Sequence, residues 1–72
     1  MMKNKTRSMV YRYKNPEGLQ GQRALVRNDP DNDRNFLCQF DNLDLTIDGI
    51  NLAHGWHSFP KSAFKYVQAR TR

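Results

Sequence analysis

The sequence contains a single cysteine, Cys38, among its 72 residues, so no disulfide can form within one chain. A lone thiol is typical of proteins that remain in a reducing compartment. No apolar run approaches the roughly 18 residues that a membrane-spanning helix requires, so no membrane partner is expected. The charged N-terminus is not followed by the apolar segment of a signal peptide, which favours a cytoplasmic protein.

The chain also lacks the sequence features of an enzyme, and neither catalytic activity nor a cofactor is expected. It has no Gly-rich phosphate loop and offers few acids that a pocket could tune. Cys38 alternates with Phe36 and Phe40 on a predicted strand face, where burial disfavours the nucleophilic thiolate. Together with His54 and His57 it would supply three zinc ligands, but no fourth ligand has suitable spacing.

Three alternating aspartates, Asp29, Asp31 and Asp33, resemble the start of a calcium-binding EF-hand loop. The pattern then fails, because Arg34 stands where the loop needs glycine and Phe40 stands where it needs a bidentate acid. We therefore interpret this stretch as a solvated loop between two strands, with no bound metal.

The net charge of +5 conceals an uneven distribution along the chain. Residues 1–27 carry a net charge of +6, residues 28–48 carry −5, and residues 49–72 carry +4. Basic ends of this kind favour a polyanionic partner, usually nucleic acid. The alternative is that the charge serves solubility alone, as small proteins need a net charge. Composition leaves both interpretations open.

Apolar and polar side chains alternate over several short segments, which is typical of β-strands. Strands are predicted over residues 8–14, 22–28 and 36–41, with a hairpin over 43–54 and a short last strand over 65–68. A turn at Asn15-Pro16-Glu17-Gly18 should end the first strand. A 3-10 or α-helical turn is expected over 60–64, since Pro60 suits the first helical position. No apolar pattern with helical spacing extends over three turns.

The hairpin is the clearest local signal. Asp48-Gly49 is a favoured pair for a type I′ turn, because both central residues of that turn need positive φ. A two-residue turn there would pair Ile47 with Ile50 and Leu45 with Leu52. Five apolar side chains would then share one face: Leu43, Leu45, Ile47, Ile50 and Leu52.

Five or six antiparallel strands in a chain of this length are too few for a two-sheet sandwich. They favour a bent sheet folded into a small, SH3-like all-β barrel with one short 3-10 or α turn near residues 60–64. The expected organisation is a flexible basic segment at 1–7, a single barrel domain at 8–69 and a short basic tail at 70–72. Because its own side chains fill a barrel of this size, only the outside is expected to act.

The order of strand, hairpin, turn and strand resembles SH3-like barrels over roughly residues 22–68. Ala24-Leu25-Val26 is similar to their opening strand, and residues 55–67 are similar to their closing segment, in which a Phe-Pro step precedes a 3-10 turn. The chain departs from proline-binding SH3 domains, since no tyrosine pair follows Ala24-Leu25. The motif Gly-Trp-His-x-Phe-Pro at 55–60 resembles small bacteriophage proteins, which implies a phage accessory role in the host bacterial cytoplasm.

Cations and aromatic rings interleave in two parts of the chain, as in proteins that bind single-stranded nucleic acid. In such proteins the rings stack on bases and the cations neutralise phosphates. The candidate contact residues are Lys5, Arg7, Tyr11, Arg12, Tyr13, Lys14, Arg23, Arg27, Trp56, His57, Lys61 and Lys65. Phe59 and Phe64 are predicted to lie in the core, whereas Trp56 is left open between core and surface.

Two functions remain open at this point. One is a non-catalytic module that binds nucleic acid. The other is a phage-encoded inhibitor or adaptor that binds a host protein, such as a nucleic-acid-handling enzyme or a defence complex; the polarised charge favours it, because the acidic middle of the chain suits a basic groove. Self-association as a homodimer through an exposed strand edge, such as residues 8–14, is a third possibility.

Overall fold

The computed structural model describes residues 6–66 of the chain. They form seven short strands and one 3-10 turn. The strands are β1 (Arg7–Tyr11), β2 (Arg23–Asn28), β3 (Asn35–Phe40), β4 (Thr46–Ile47), β5 (Ile50–Asn51), β6 (His57–Pro60) and β7 (Phe64–Tyr66), and the 3-10 turn (Lys61–Ala63) joins the last two.

Five strands form one antiparallel sheet in the order β6-β3-β2-β1-β7, which curls into a half-barrel, while β4 and β5 form a separate hairpin. The expected all-β fold of small-barrel type is therefore confirmed. Within the described part of the chain, β6 and β7 are the edges of the large sheet. The prediction that residues 8–14 present an exposed edge for a homodimer is wrong, because β1 pairs with β2 on one side and β7 on the other.

The first strand is displaced from its predicted limits at both ends. It begins at Arg7, inside the segment expected to be flexible, and it ends at Tyr11 instead of Lys14. One more bond, from the N–H of Arg12 to the carbonyl of Ala63 at 2.8 Å, continues the β1–β7 register before the pairing ends. The predicted basic segment at 1–5 and the predicted tail at 70–72 lie outside the described residues.

One face of the large sheet forms the hydrophobic core. Strict alternation along β3 buries Phe36, Cys38 and Phe40, and the same period buries Ala24 and Val26 on β2. The neighbouring loops and strands complete the buried cluster with Met9, Tyr11, Leu19, Leu45, Leu52, Ala63 and Phe64. On β2 and β3 the face that the alternating pattern predicted to be buried is therefore the buried face.

Tyr11 lies at the centre of a cluster of aromatic rings. Its ring meets Phe59 and Phe64 edge to face, with centroids 5.9 and 5.5 Å away, and is tilted against Phe40 at 6.3 Å. The hydroxyl group donates a hydrogen bond to the backbone carbonyl of Asn15 at 2.7 Å, which satisfies its polar end. The predicted core positions of Phe59 and Phe64 are confirmed, with Phe64 fully buried and Phe59 half-buried against the cluster.

The hairpin has the predicted register, with Ile47 paired to Ile50 and with the N–H of Leu52 bonded to the carbonyl of Leu45 at 2.9 Å. Asp48 has φ of 53° and Gly49 has φ of 80°, as a type I′ turn requires. Burial is less complete than the pattern indicated, because only Leu45 and Leu52 of the five apolar residues are buried, while Leu43 and Ile50 remain 69% and 53% exposed. Two paired positions per strand are too few to bury the whole apolar row.

The segment after the hairpin also follows the sequence pattern closely. Pro60 has φ of −60° and precedes the 3-10 turn, which covers 61–63 within the expected 60–64. The turn then leads directly into β7, which pairs with β1. No helix in the described range 6–66 is long and apolar enough to cross a membrane.

Replacing Gly49 with alanine should destabilise the domain by about 1 kcal/mol, because a Cβ disfavours positive φ. A Cβ at this position would meet no other atom within 4 Å, so the cost is conformational and not steric. Urea denaturation monitored by tryptophan fluorescence measures the difference. Asp48→Asn is the matched control and should be nearly neutral, since asparagine accepts positive φ. Equal stability of Gly49→Ala and the wild type would contradict the turn assignment.

Candidate functional site

The outer face of the large sheet, opposite the core, carries the candidate site. Because side chains alternate along each strand, the residues between the buried positions point outward. Those residues are Ser8 and Val10 on β1, Arg23, Leu25 and Arg27 on β2, Leu37 and Gln39 on β3, Ser58 on β6 and Lys65 on β7. We call this surface the outer face.

The central feature of the outer face is a stacked pair formed by Arg27 and Trp56. The guanidinium carbon of Arg27 lies 4.4 Å from the centroid of the Trp56 ring, well within the range of a cation–π interaction. Trp56 remains 37% exposed, so the ring is on the surface and does not close the core. The side-chain amide of Gln39 donates to the carbonyl of Gly55 at 3.3 Å, which helps to hold the segment before β6 in place.

One nitrogen of the Arg27 guanidinium, Nε, is buried in the stacked arrangement. It has no hydrogen-bond partner among the described residues. An unpaired buried donor costs stability, of the order of 1–3 kcal/mol, unless a ligand or water completes it. The pair is therefore a flat apolar and cationic surface in which the Nε–H of Arg27 has no partner within the described part of the chain.

Two further cations share the outer face with this pair. Val10 on β1 lies between Arg23 on β2 and Lys65 on β7, directly opposite each of them, and both cations are exposed. Adjacent strands are roughly 4.8 Å apart, which places the two backbones about 10 Å from each other. Asp41, next to Arg23 at the end of β3, is the acidic group at this margin. The face is thus mainly basic.

Asp29 directly follows β2, and both oxygens of its carboxylate accept hydrogen bonds. Its carboxylate accepts hydrogen bonds from the Ser58 hydroxyl at 2.7 Å and from the Asp31 backbone N–H at 2.9 Å. The bond from Ser58 and then that from Asp31 hold the pKa of Asp29 below its usual value. Asn35 donates to the same hydroxyl at 2.8 Å. This network joins the acidic loop to β6. Asp29, which stands at the first position of the EF-hand-like pattern, therefore has a structural role.

The first aromatic–basic run divides between core and surface. Tyr11 is only 4% exposed, so the prediction that its ring contacts a ligand is wrong; the alternation that brings Met9 into the core brings Tyr11 with it. Tyr13 is 45% exposed, and the guanidinium carbon of Arg12 lies 5.7 Å from its ring centroid. Lys14 is exposed beside them.

Three of the remaining predicted residues lie apart from the outer face. Arg7 donates a hydrogen bond to the Tyr66 hydroxyl at 2.8 Å, and its guanidinium carbon lies 5.7 Å from that ring. Lys61 lies over Phe36, with Nζ 5.3 Å from the ring centroid. His57 is half-buried, and its Nε2 lies 2.7 Å from the carbonyl oxygen of His54. Lys5 lies outside the described residues.

Three apolar residues of the outer face were not among the predicted contacts. Leu25 is 37% exposed between Arg23 and Arg27, and Val10 and Leu37 are half-buried around it. They connect the stacked pair to the cations at Arg23 and Lys65. The alternation of Arg23, Leu25 and Arg27 already indicated that the three share a face, but the cross-strand register was needed to place Val10 and Leu37 beside them.

The only thiol is inside the protein. Cys38 has no exposed surface, and its Sγ donates a weak hydrogen bond to the carbonyl of His57 at 3.3 Å. Burial raises the pKa of Cys38 to about 12, so the thiolate that nucleophilic or metal-binding chemistry needs is strongly disfavoured. Among the residues described, no three His, Cys, Asp or Glu side chains are grouped as a metal ion would require.

Comparison of the chain with protein-family models, with curated proteins and with solved structures found no match. The geometry of the outer face is therefore what a functional proposal has to start from.

Cys38 should resist thiol reagents in the folded protein. With a pKa of about 12, only about one thiol in ten thousand is ionised at pH 8, and the side chain is also inaccessible. Incubation with dithiobisnitrobenzoate at pH 8 should give labelling no faster than global unfolding, and full labelling in concentrated urea. Rapid reaction without denaturant would contradict both the burial and the raised pKa.

Proposed function

We propose that this chain is a non-catalytic module that binds single-stranded nucleic acid on the outer face of its sheet. The proposal is supported chiefly by the Arg27–Trp56 pair, an exposed ring stacked on a cation within a mainly basic surface. Trp56 would stack on a base, and Arg27 would contact a neighbouring phosphate. Arg23 and Lys65 would neutralise phosphates further along the strand.

A single strand suits this surface better than a duplex does. Bases in a duplex are stacked on one another, so an aromatic ring reaches a base face only where the strand is unpaired. The sheet is short and presents an apolar strip, Val10, Leu25 and Leu37, between its cations. Bases splayed over such a strip bury apolar surface, while a duplex keeps its base faces stacked inside and presents its backbone and the edges of its bases.

The second candidate is a phage-encoded inhibitor or adaptor that acts on a host protein in the bacterial cytoplasm. The observation that favours it is the acidic surface around the hairpin, where Asp41, Asp44 and Asp48 are all exposed. A basic groove on an enzyme that handles nucleic acid would complement this surface. The same outer face would then be a secondary contact and not the principal one.

Replacing Trp56 with alanine should weaken binding to a fluorescent oligothymidine or oligouridine by about 5- to 150-fold, the equivalent of the 1–3 kcal/mol of one base–aromatic stack. Fluorescence anisotropy at low salt measures the affinity, and quenching of the Trp56 emission reports stacking directly. Trp56→Phe keeps an aromatic ring and should retain most of the affinity. No binding by the wild type at tens of micromolar protein would contradict the proposal.

Replacing Arg27 with glutamine should weaken binding and reduce the slope of log affinity against log salt by about 0.7, the contribution of one phosphate contact on a single strand. Arg34→Gln is the matched control, because it removes the same charge from an exposed loop position away from the outer face. If the two variants lose affinity equally, binding depends on net charge and the site is wrongly placed.

A further inference from the structure

A groove lies between the β4–β5 hairpin and β6. It has a volume of about 490 Å³ and is lined on the hairpin side by Ile47, Ile50 and Leu52 and on the β6 side by Phe59. Ile50 is more than half exposed, so this apolar lining faces solvent. The volume lies within the range of sites that hold small ligands or peptide side chains.

One wall of the groove is an unpaired strand edge. The N–H of Lys61 donates to the carbonyl of Arg34, which marks these two as a hydrogen-bonded pair of the β3–β6 ladder. In an antiparallel ladder the bonded pairs recur every second residue, so His57 and Phe59 also bond to β3. Ser58 between them therefore turns its N–H and C=O away from β3, to the side where no described strand pairs with β6.

An occupant that pairs with such an edge has a backbone of its own. An extended peptide that adds as a further strand would pair with the N–H and C=O of Ser58 and place alternate side chains in the groove. Pro60 has no N–H to offer, so the added strand would be short. A compact small molecule would fill the apolar part but would leave the strand edge unpaired.

The charge of the groove indicates which peptide fits. Among its described lining residues, Asp48 is the one with a formal charge at neutral pH. The type I′ turn fixes the backbone of Asp48 beside the groove that the residue lines. A lysine or arginine of the occupant would complement it, whereas a phosphate would be repelled. This surface is therefore chemically distinct from the outer face.

We propose that this groove binds an extended segment of a partner protein as an additional strand along β6. Apolar side chains of that segment occupy the space between Ile50 and Phe59, and a lysine or arginine pairs with Asp48. The groove shares Trp56 and Ser58 with the outer face. It does not depend on the nucleic-acid function, because its charge comes from Asp48 and not from the cations of the outer face.

Selection of random nine-residue peptides displayed on phage against the immobilised full-length protein tests this directly. The expected consensus alternates apolar residues and contains one lysine or arginine. A synthetic consensus peptide then enters a double-mutant cycle. Asp48→Asn and a lysine-to-glutamine change in the peptide should each weaken binding by about two- to fivefold, with no further loss when combined, as for an exposed ion pair.

Two readouts separate this site from the outer face. Lys65→Gln removes an outer-face cation that does not line the groove and should leave peptide affinity unchanged. Asp48→Asn should leave oligonucleotide affinity undiminished, so either function can fail without the other. On peptide binding, the amide proton of Ser58 should become protected from hydrogen exchange, which side-chain contact alone would not produce.

Several results would overturn the proposal. These are a selection with no consensus or with an acidic one, unaltered exchange at Ser58, and additive losses in the cycle. Tighter peptide binding by Arg70→Glu/Arg72→Glu would instead identify the chain's own C-terminal segment as the occupant. Dissociation of a homodimer by the peptide in sedimentation experiments would identify a second copy of the chain.

Discussion

The packing of aromatic rings on the inner face of the sheet is the constraint on which the rest of the molecule depends. Tyr11 is in contact with Phe40, Phe59 and Phe64, which come from β3, β6 and β7, so one side chain links the strands at both edges of the half-barrel. These large rings occupy the space that a ligand cavity inside the sheet would need. The outer face and the edges are consequently the surfaces of the sheet that remain accessible.

The buried thiol is a consequence of the same packing. Cys38 lies between Phe36 and Phe40 on β3, and the low polarity there disfavours its charged form. On the opposite side of the same sheet, Arg27 is half-buried and its guanidinium lies on the face of Trp56. The two faces of one sheet thus have opposite chemical characters, one suited to cohesion and the other to anionic ligands.

The two proposed sites meet at β6 and divide its surface between them. Trp56, just before the strand, contributes to the outer face and also lines the groove beside the hairpin. Arg27 and Asp48, on either side, give the two sites opposite charge. A partner with a basic extended segment and a nucleic acid could therefore occupy neighbouring surfaces without competing for the same charged residue.

Local chemistry was sufficient to predict the hairpin register, the 3-10 turn and the buried alternation on β3. Each of these depends on residues close together in the chain, such as Asp48-Gly49 and Phe36, Cys38 and Phe40. The role of Tyr11 was not predictable in this way, since an alternating aromatic on a strand looks the same whether its face is inner or outer. The exposure of Leu43 was missed because strand length depends on pairing partners.

By itself, the sequence determined the all-β class, the absence of an internal disulfide, the turn geometry and the identity of most core residues. Alternation and turn chemistry act over a few residues, and they are visible in the order of the amino acids. Only the tertiary structure decided that Arg27 stacks on Trp56, that β1 is internal and that β6 is an edge. These features join residues from 13 to 57 positions apart, and cross-strand pairing, which no local pattern specifies, brings them together.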